Sequence, residues 1–275
     1  MNLNDFDFWE GVNKPKWLND ASYVTVMGSR AYKTHTIASD WDFYGFCVPP
    51  ASVVFPHIAG DIPLFWNQKN NFKQLQLQHI PSEIYGDVDI TIYNIVYYFD
   101  RVLDGNPNML DSLFVPDDTI MVIDKVGKMV RDNRELFLSQ RLYKKFVGFA
   151  MSHLKKITSR TRQGLRKAVV DEHGYDTKDA SHVVRAMLEI KDFMLSGNCD
   201  VSSHAVTVRE IRAGEWSLER VQKIFDTILG GLDIMHSEGR FVVAENPRVD
   251  EVKSLLVDCL EEKYGSLGEL GWNIV

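Results

Sequence analysis

The sequence contains little cysteine, and its histidines do not cluster. Cys47, Cys199 and Cys259 are far apart and include no CxxC pair, which argues against both a zinc site and a disulfide framework. Of the eight histidines, His35 alone lies near the acidic motif described below. We therefore do not expect a hydrolase whose metal is bound by clustered histidines. The cysteines are expected to be small buried hydrophobic residues.

Long hydrophobic runs and an export signal are also lacking. Asp, Lys or Arg interrupts each apolar run well before the roughly 18 residues that a membrane-spanning helix needs. Residues 1–13 contain three acidic residues and do not have the basic-then-apolar order of a signal peptide. We therefore expect a cytoplasmic protein with no membrane partner. A content of 45% hydrophobic and 25% charged residues is typical of a soluble globular chain.

Charge is distributed unevenly along the chain. The formal net charge is −7, yet residues 131–167 contain eleven Lys or Arg and only two acidic residues, so this segment carries +9 and the remainder −16. A local basic segment on an acidic protein is typical of a polyanion site. A solvated helix face has the same composition, so both interpretations stay open.

Hydrophobic periodicity predicts an α+β protein with a mixed α/β N-terminal half and a helical C-terminal half. We predict strands at 23–27, 40–48 and 87–93, and a further strand at 72–77 within an otherwise irregular stretch, 51–86. Helices are predicted at 94–103, 109–114, 125–138, 141–157, 160–171, 177–195, 217–237 and 248–263. Asp176 and Gly197 are the start and stop signals of the 177–195 helix. The predicted domains are residues 1–125 and 126–275.

Two acidic residues follow a Gly-Ser turn and begin a strand. Because strand side chains alternate, Asp40 and Asp42 should share one face, while Trp41 and Phe43 point into the core. Carboxylate oxygens are the ligands that Mg²⁺ prefers, and two such ions can clamp the attacking and leaving oxygens of a phosphoryl displacement.

A third acid on the neighbouring strand could join this pair, either Asp89 or Asp87 on the same strand face. Gly28 and Ser29 offer backbone N–H groups and a hydroxyl to a polyphosphate, with no Cβ on Gly28 to obstruct it. Together these residues favour nucleotidyl transfer.

Several basic residues could offset the charge of a triphosphate. Lys178, His182 and Arg185 are spaced i, i+4 and i+7 and therefore share one helix face. This face is predicted to be a cationic wall beside the nucleotide, or alternatively a surface or packing stripe. Arg30 and Lys33 follow the Gly-Ser turn and are further candidates for nucleotide binding.

These motifs resemble the DNA polymerase beta-like nucleotidyltransferase superfamily, whose signature is similar to Gly28-Ser29 followed by Asp40-x-Asp42. The text from Gly28 to Gly45 is similar to the YcgL-like branch of predicted nucleotidyltransferases. Equivalents of three later segments occur in that branch in the same order: residues 105–108 with the following acid-Ser-Leu-Phe, residues 146–150 and residues 175–185. The resemblance covers about residues 22–215.

The resemblance implies that Asp40 and Asp42 bind two Mg²⁺ ions, or Mn²⁺ in their place, with Asp89 as the third carboxylate. It also implies that Gly28 and Ser29 hold the β- and γ-phosphates of ATP or another NTP. The expected reaction moves a nucleoside monophosphate to a hydroxyl and releases pyrophosphate.

The acceptor stays open between an RNA 3′ end, a protein side chain and a small molecule, and the basic segment slightly favours RNA. A non-catalytic nucleotide-binding relic is the alternative, but such a relic should have lost a carboxylate. Neither the NTP nor the oligomeric state follows from the sequence.

Overall fold

A computed structural model describes residues 5–9, 12–55, 72–157 and 164–266 of the chain. It contains a mixed sheet followed by helices, so the predicted α+β class is confirmed. The strands are β1 (Ala21–Met27), β2 (Trp41–Cys47), β3 (Gln74–Ser82), β4 (Gly86–Asn94) and β5 (Ile120–Ile123).

The sheet has the strand order β3-β4-β2-β1-β5, in which β2 and β4 are parallel and the other pairs are antiparallel. Asp42 lies opposite Met27 on β1 and opposite Asp89 on β4. The end of β1, the start of β2 and an acid of β4 are therefore neighbours in the sheet.

Helices cover the sheet and form most of the C-terminal half. The first two, α1 (Gly28–Ala31) and α2 (Ala51–Val54), are single turns. The others are α3 (Ile95–Leu103), α4 (Pro107–Phe114), α5 (Lys125–Asp132), α6 (Arg141–Leu154), α7 (Leu165–His173), α8 (Thr177–Ser196), α9 (Ala205–Arg212), α10 (Leu218–Ser237) and α11 (Val249–Tyr264). In the part of the chain that the structure describes, no helix is both long and apolar enough to cross a membrane.

Side-chain caps explain where several helices begin. Asn94, Asn106 and Asp124 each accept a hydrogen bond from a first-turn N–H of the helix that follows. Asp176 caps α8 in the same way, and Gly197 ends it with a left-handed φ of 69°. The predicted start and stop signals of this helix are confirmed.

Two hydrophobic clusters pack on the sheet. The larger joins sheet residues such as Tyr23 and Phe46 to Phe146 and Phe193 of the C-terminal helices. It therefore contains residues from both sides of the predicted boundary at 125/126, and the domain division stays a prediction. The smaller cluster contains Phe43, with Trp41 packed against it, as predicted. All three cysteines are buried and free, also as predicted.

Several elements differ from their predictions. β5 and α9 were not predicted, because β5 has only four residues and α9 is rich in Val and Thr, which have low helix propensity. The strand predicted at 72–77 is present as β3 but extends to Ser82, so the interpretation of residues 78–82 as irregular was wrong. The predicted 125–138 helix ends at Asp132 and is followed by a separate 3₁₀ turn, Arg134–Phe137. The start of the predicted 160–171 helix lies outside the described residues.

Candidate active site

A cleft of about 270 Å³ lies where β1 ends, between the start of β2 and helices α8 and α9. One side contains the Gly-Ser turn and two of the predicted carboxylates. The other side contains the predicted face of α8. Its lining residues include Gly28, Ser29, Tyr32, Asp40, Asp42, Tyr44, Asn108, Lys178, Ser181, His182, Arg185, Val208 and Arg212.

Gly28 is in direct contact with Asp42. Its φ is +60°, and a Cβ added there would lie 1.9 Å from Asp42 Oδ2. A side chain at this position would therefore be strained in the backbone and would also displace the carboxylate. The glycine is thus required by the position of Asp42 as well as by the open approach to the turn that the sequence indicated.

Asp42 is a half-buried carboxylate with no hydrogen bond or ion pair within the described ranges. Burial, followed by the charges of Asp89 and Asp40, raises its pKa to about 6. Asp40 precedes β2, is exposed and lines the same cleft. The structure therefore brings the two acids of the motif together with the turn.

The two candidates for the third carboxylate differ in their surroundings. Asp89 is the register partner of Asp42, and its Oδ1 accepts a hydrogen bond of 2.8 Å from the His79 N–H. Asp87 Oδ2 pairs instead with His79 Nδ1, at 2.9 Å, on the exposed β3–β4 hairpin. A β-bulge at His79, where φ is 55°, directs both contacts. This geometry favours Asp89, and the assignment stays a prediction.

The carboxylates fit a hard divalent cation that binds together with a phosphate. Across the described residues, no three His, Cys, Asp or Glu side chains converge closely enough to hold a metal ion by themselves. Mg²⁺, however, commonly binds one or two carboxylates together with substrate phosphates and water. Asp42 is an unpaired carboxylate close to the carboxylates of Asp89 and Asp40, and a cation would offset their combined charge.

The α8 face borders the cleft, since Lys178, His182 and Arg185 all line it. Lys178 forms no ion pair within the described residues. His182 does not add positive charge to this face, in contrast to the prediction of a cationic wall. Burial, followed by the charge of Arg185, lowers the pKa of His182 to about 3. Its imidazole is therefore neutral near pH 7, and it contributes a polar group rather than a charge.

Arg30 and Lys33 lie beside the turn, but neither lines the cleft. Arg30 stacks on the Trp41 ring at 3.9 Å and donates to the backbone carbonyl oxygens of Ser39 and Asp40. It therefore holds the loop that carries Asp40. Lys33 pairs with Asp118 at 2.7 Å. A direct role of either residue in nucleotide binding stays a prediction.

Arg212 is a cleft residue that the sequence analysis missed, because it lies at the end of the unpredicted helix α9. It forms no ion pair with any described residue. Arg209, one turn earlier, donates to the Lys33 carbonyl oxygen at 3.0 Å and keeps α9 beside α1. No periodic signal in the sequence connects Arg212 with the acidic motif.

The basic segment 131–167 is not one continuous surface. Arg131 is buried and donates to the carbonyl oxygens of Leu113 and Val115, so it stabilises the fold. Residues 155–156, at the end of α6, are exposed lysines without ion pairs among the described residues. Arg160 and Arg162 lie outside the described residues.

A comparison with protein families decides the classification. The model of the RNA repair pathway DNA polymerase beta family, RlaP, matches residues 19–218, which include every residue that lines the cleft. The chain belongs to this family. The resemblance to the polymerase beta-like nucleotidyltransferase superfamily is thereby confirmed, and with it the general class of nucleotidyltransferase. The narrower resemblance to the YcgL-like branch stays a prediction.

The chain is also similar to a phage protein. It is 28% identical over 134 residues to a protein of Enterobacteria phage T4 described as "Uncharacterized 38.9 kDa protein in nrdC-mobD intergenic region". The match covers 48% of this chain and 37% of the phage protein. The chain therefore spans about a third of the length of this relative.

Proposed function

We propose that the protein is a Mg²⁺-dependent nucleotidyltransferase that transfers a nucleoside monophosphate from an NTP to a hydroxyl group. The observation that supports this most strongly is the division of the cleft into two sides. Asp40, Asp42 and the Gly28 turn lie on one side, and Lys178 and Arg185 lie on the other. A metal-bound triphosphate requires carboxylates for its cation and cationic side chains for its phosphates.

The metal would be held by Asp40 and Asp42, with Asp89 as our candidate for the third carboxylate. When bound, Mg²⁺ or Mn²⁺ would offset the charge of the triphosphate and lower the pKa of the attacking hydroxyl. The Asp42 carboxylate has no partner among the described residues and lies close to the charges of Asp89 and Asp40, which supports the assignment.

The side chains around the cleft suggest how transfer proceeds. The acceptor oxygen forms a bond to the α-phosphorus as the bond to the bridging oxygen breaks, and pyrophosphate leaves. The hydroxyl proton passes to a carboxylate, for which Asp89 is the candidate. Ser29 and the first-turn N–H groups bind phosphate oxygens. Lys178 and Arg212 stabilise the negative charge that develops on the leaving pyrophosphate.

We propose an RNA 3′ end as the acceptor. The description of the family refers to an RNA repair pathway. The exposed lysines 155–156 supply a basic surface of the kind that binds a phosphate backbone.

Transfer can be tested with each α-³²P-labelled NTP, Mg²⁺ and an RNA with a free 3′ hydroxyl. We expect the RNA to be labelled by the wild type, and labelling to be lost in EDTA and in Asp42→Asn. Asp89→Asn should also lose labelling, whereas Asp87→Asn, on the same strand, should keep it. Label on a protein or a small molecule instead of RNA would refute RNA as the acceptor and identify the acceptor class. A complete lack of labelled product with RNA and with cell extract would refute the proposed function.

A further inference from the structure

A buried ionic cluster lies behind the α8 side of the cleft. The side chains of Arg185, Asp111 and Glu189 are 3%, 0% and 0% exposed. Arg185 Nη1 donates to Asp111 Oδ2 at 2.7 Å and lies 2.9 Å from both Glu189 oxygens. One guanidinium therefore serves two carboxyl groups.

Asp111 connects three elements that border the cleft. Its Oδ2 also accepts a hydrogen bond of 2.8 Å from the hydroxyl of Tyr32, which directly follows α1. The Tyr32 ring lies 3.9 Å from the guanidinium of Arg185. Asp111 on α4 is thereby bonded both to the residue that ends the Gly-Ser turn and to the arginine of α8.

The cluster leaves part of the guanidinium free. Within the described part of the chain, the hydrogen bonds of Arg185 all use Nη1, and none uses Nε or Nη2. Neither of these nitrogens is among the fully buried atoms that lack a partner, and Arg185 lines the cleft. Nε and Nη2 are thus the two guanidinium nitrogens that remain for a ligand in the cleft, and this side-by-side pair is the one that arginine uses to bind phosphate oxygens.

Stability alone does not account for the cluster. Asp111 Oδ1 is buried and has no partner among the described residues, and burial raises the pKa of both Asp111 and Glu189. A buried ionic group of this kind is seldom more stable than apolar side chains of similar volume. A role in the cleft is the more direct explanation for its presence.

We propose that Asp111, together with Glu189, is a positioning residue that holds Arg185 so that its two free donors bind the triphosphate. Asp111 also fixes Tyr32, so the same contact aligns the Gly-Ser turn with α8. This inference rests on the proposed function in taking the ligand to be the triphosphate of an NTP. It also assigns a role to the acid of the Asp111-Ser-Leu-Phe motif.

Binding of sodium tripolyphosphate and of ATP to the full chain, in Mg²⁺ and by titration calorimetry, tests this role. Arg185→Lys keeps the charge but loses the fork, and Asp111→Asn loses the charged acceptor. We expect each to weaken binding of both ligands by about tenfold, the scale of one charged hydrogen bond. Tyr32→Phe and Glu189→Gln should weaken binding in the same direction, and they test the inference even if Asp111→Asn does not fold.

Tyr98→Phe is the matched control. It removes a buried hydroxyl that contacts Ser112 Oγ at 2.6 Å, on the same helix as Asp111. It should lower the thermal stability and leave the Kd for tripolyphosphate unchanged. Because Asp111 acts through Arg185, Asp111→Asn should cause little further loss of affinity in an Arg185→Lys background.

Three results would overturn the inference: no tripolyphosphate binding by the wild type, Asp111→Asn and Tyr32→Phe variants that bind like Tyr98→Phe, or a full additional tenfold loss in the double variant. Binding does not require transfer, so the two proposals can fail separately. Binding that depends on Asp111 without any transfer would refute only the proposed function. Transfer with binding that is independent of Asp111 would refute only this inference.

Discussion

Replacing Gly28 with alanine should damage the site far more than its size suggests. The left-handed conformation at φ +60° would cost a residue with a Cβ roughly 1–2 kcal/mol of folding free energy. The new Cβ would also lie 1.9 Å from Asp42 Oδ2, where contacts under 3.0 Å are essentially never found. The carboxylate must therefore move by about 1 Å, a displacement that can reduce catalysis by about 100-fold.

Gly86→Ala separates the two effects. Gly86 has a similar φ of +81°, but nothing lies within 4 Å of an added Cβ. We expect the left-handed backbone conformation to destabilise both alanine variants, measured as a lower free energy of unfolding in urea. Only Gly28→Ala should lose about 100-fold in the rate of nucleotidyl transfer from the NTP. Equal turnover in the two variants would refute the contact between Gly28 and Asp42 as the reason for the glycine.

Three further predictions concern charge. The Asp42 pKa is raised above that of the unfolded chain, so the charged carboxylate destabilises the fold as pH rises from about 4 to about 6. Asp42→Asn, measured in EDTA, should therefore gain up to about 3 kcal/mol of folding free energy at pH 8 and nothing at pH 3. The His182 pKa is lowered to about 3, so the wild type should lose up to about 1.4 kcal/mol of folding free energy per pH unit as pH falls below 6.5. His182→Gln should lack this part of the acid sensitivity in thermal melts. Identical pH profiles of wild type and variant would contradict the neutral imidazole. If RNA is the acceptor, the logarithm of its binding constant should fall with the logarithm of salt concentration with a slope of about −0.7 per phosphate contact. Charge reversal at Lys155 and Lys156 should flatten this slope without changing the affinity for NTP. A slope that is the same in wild type and variant would remove these lysines from the acceptor site.

Several features of the site could be read from short stretches of sequence. The β-branched run before Gly28 predicts a buried strand and a tight turn, and alternation along β2 separates Asp42 from Trp41 and Phe43. The helical spacing of residues 178–185 correctly places three side chains on the cleft. These features depend on periods of two and 3.6 residues, which the local sequence contains.

Other features depend on which segments pack together. The preference for Asp89 over Asp87 comes from the parallel register of β2 and β4 and from the bulge at His79. Arg212 enters the cleft because α9 packs beside α8, although its own sequence predicts no helix clearly.

The local sequence thus determined the strand, the turn, the acidic pair and the shared face of α8. Tertiary structure alone decided the charge state and the hydrogen-bond partners of the α8 residues. Arg185 meets Asp111 across 74 residues of sequence, and burial beside Arg185 makes His182 neutral. Charge state and hydrogen-bond partners depend on solvent exclusion and on neighbours that are distant in sequence, and neither is encoded in the spacing of residues along one helix.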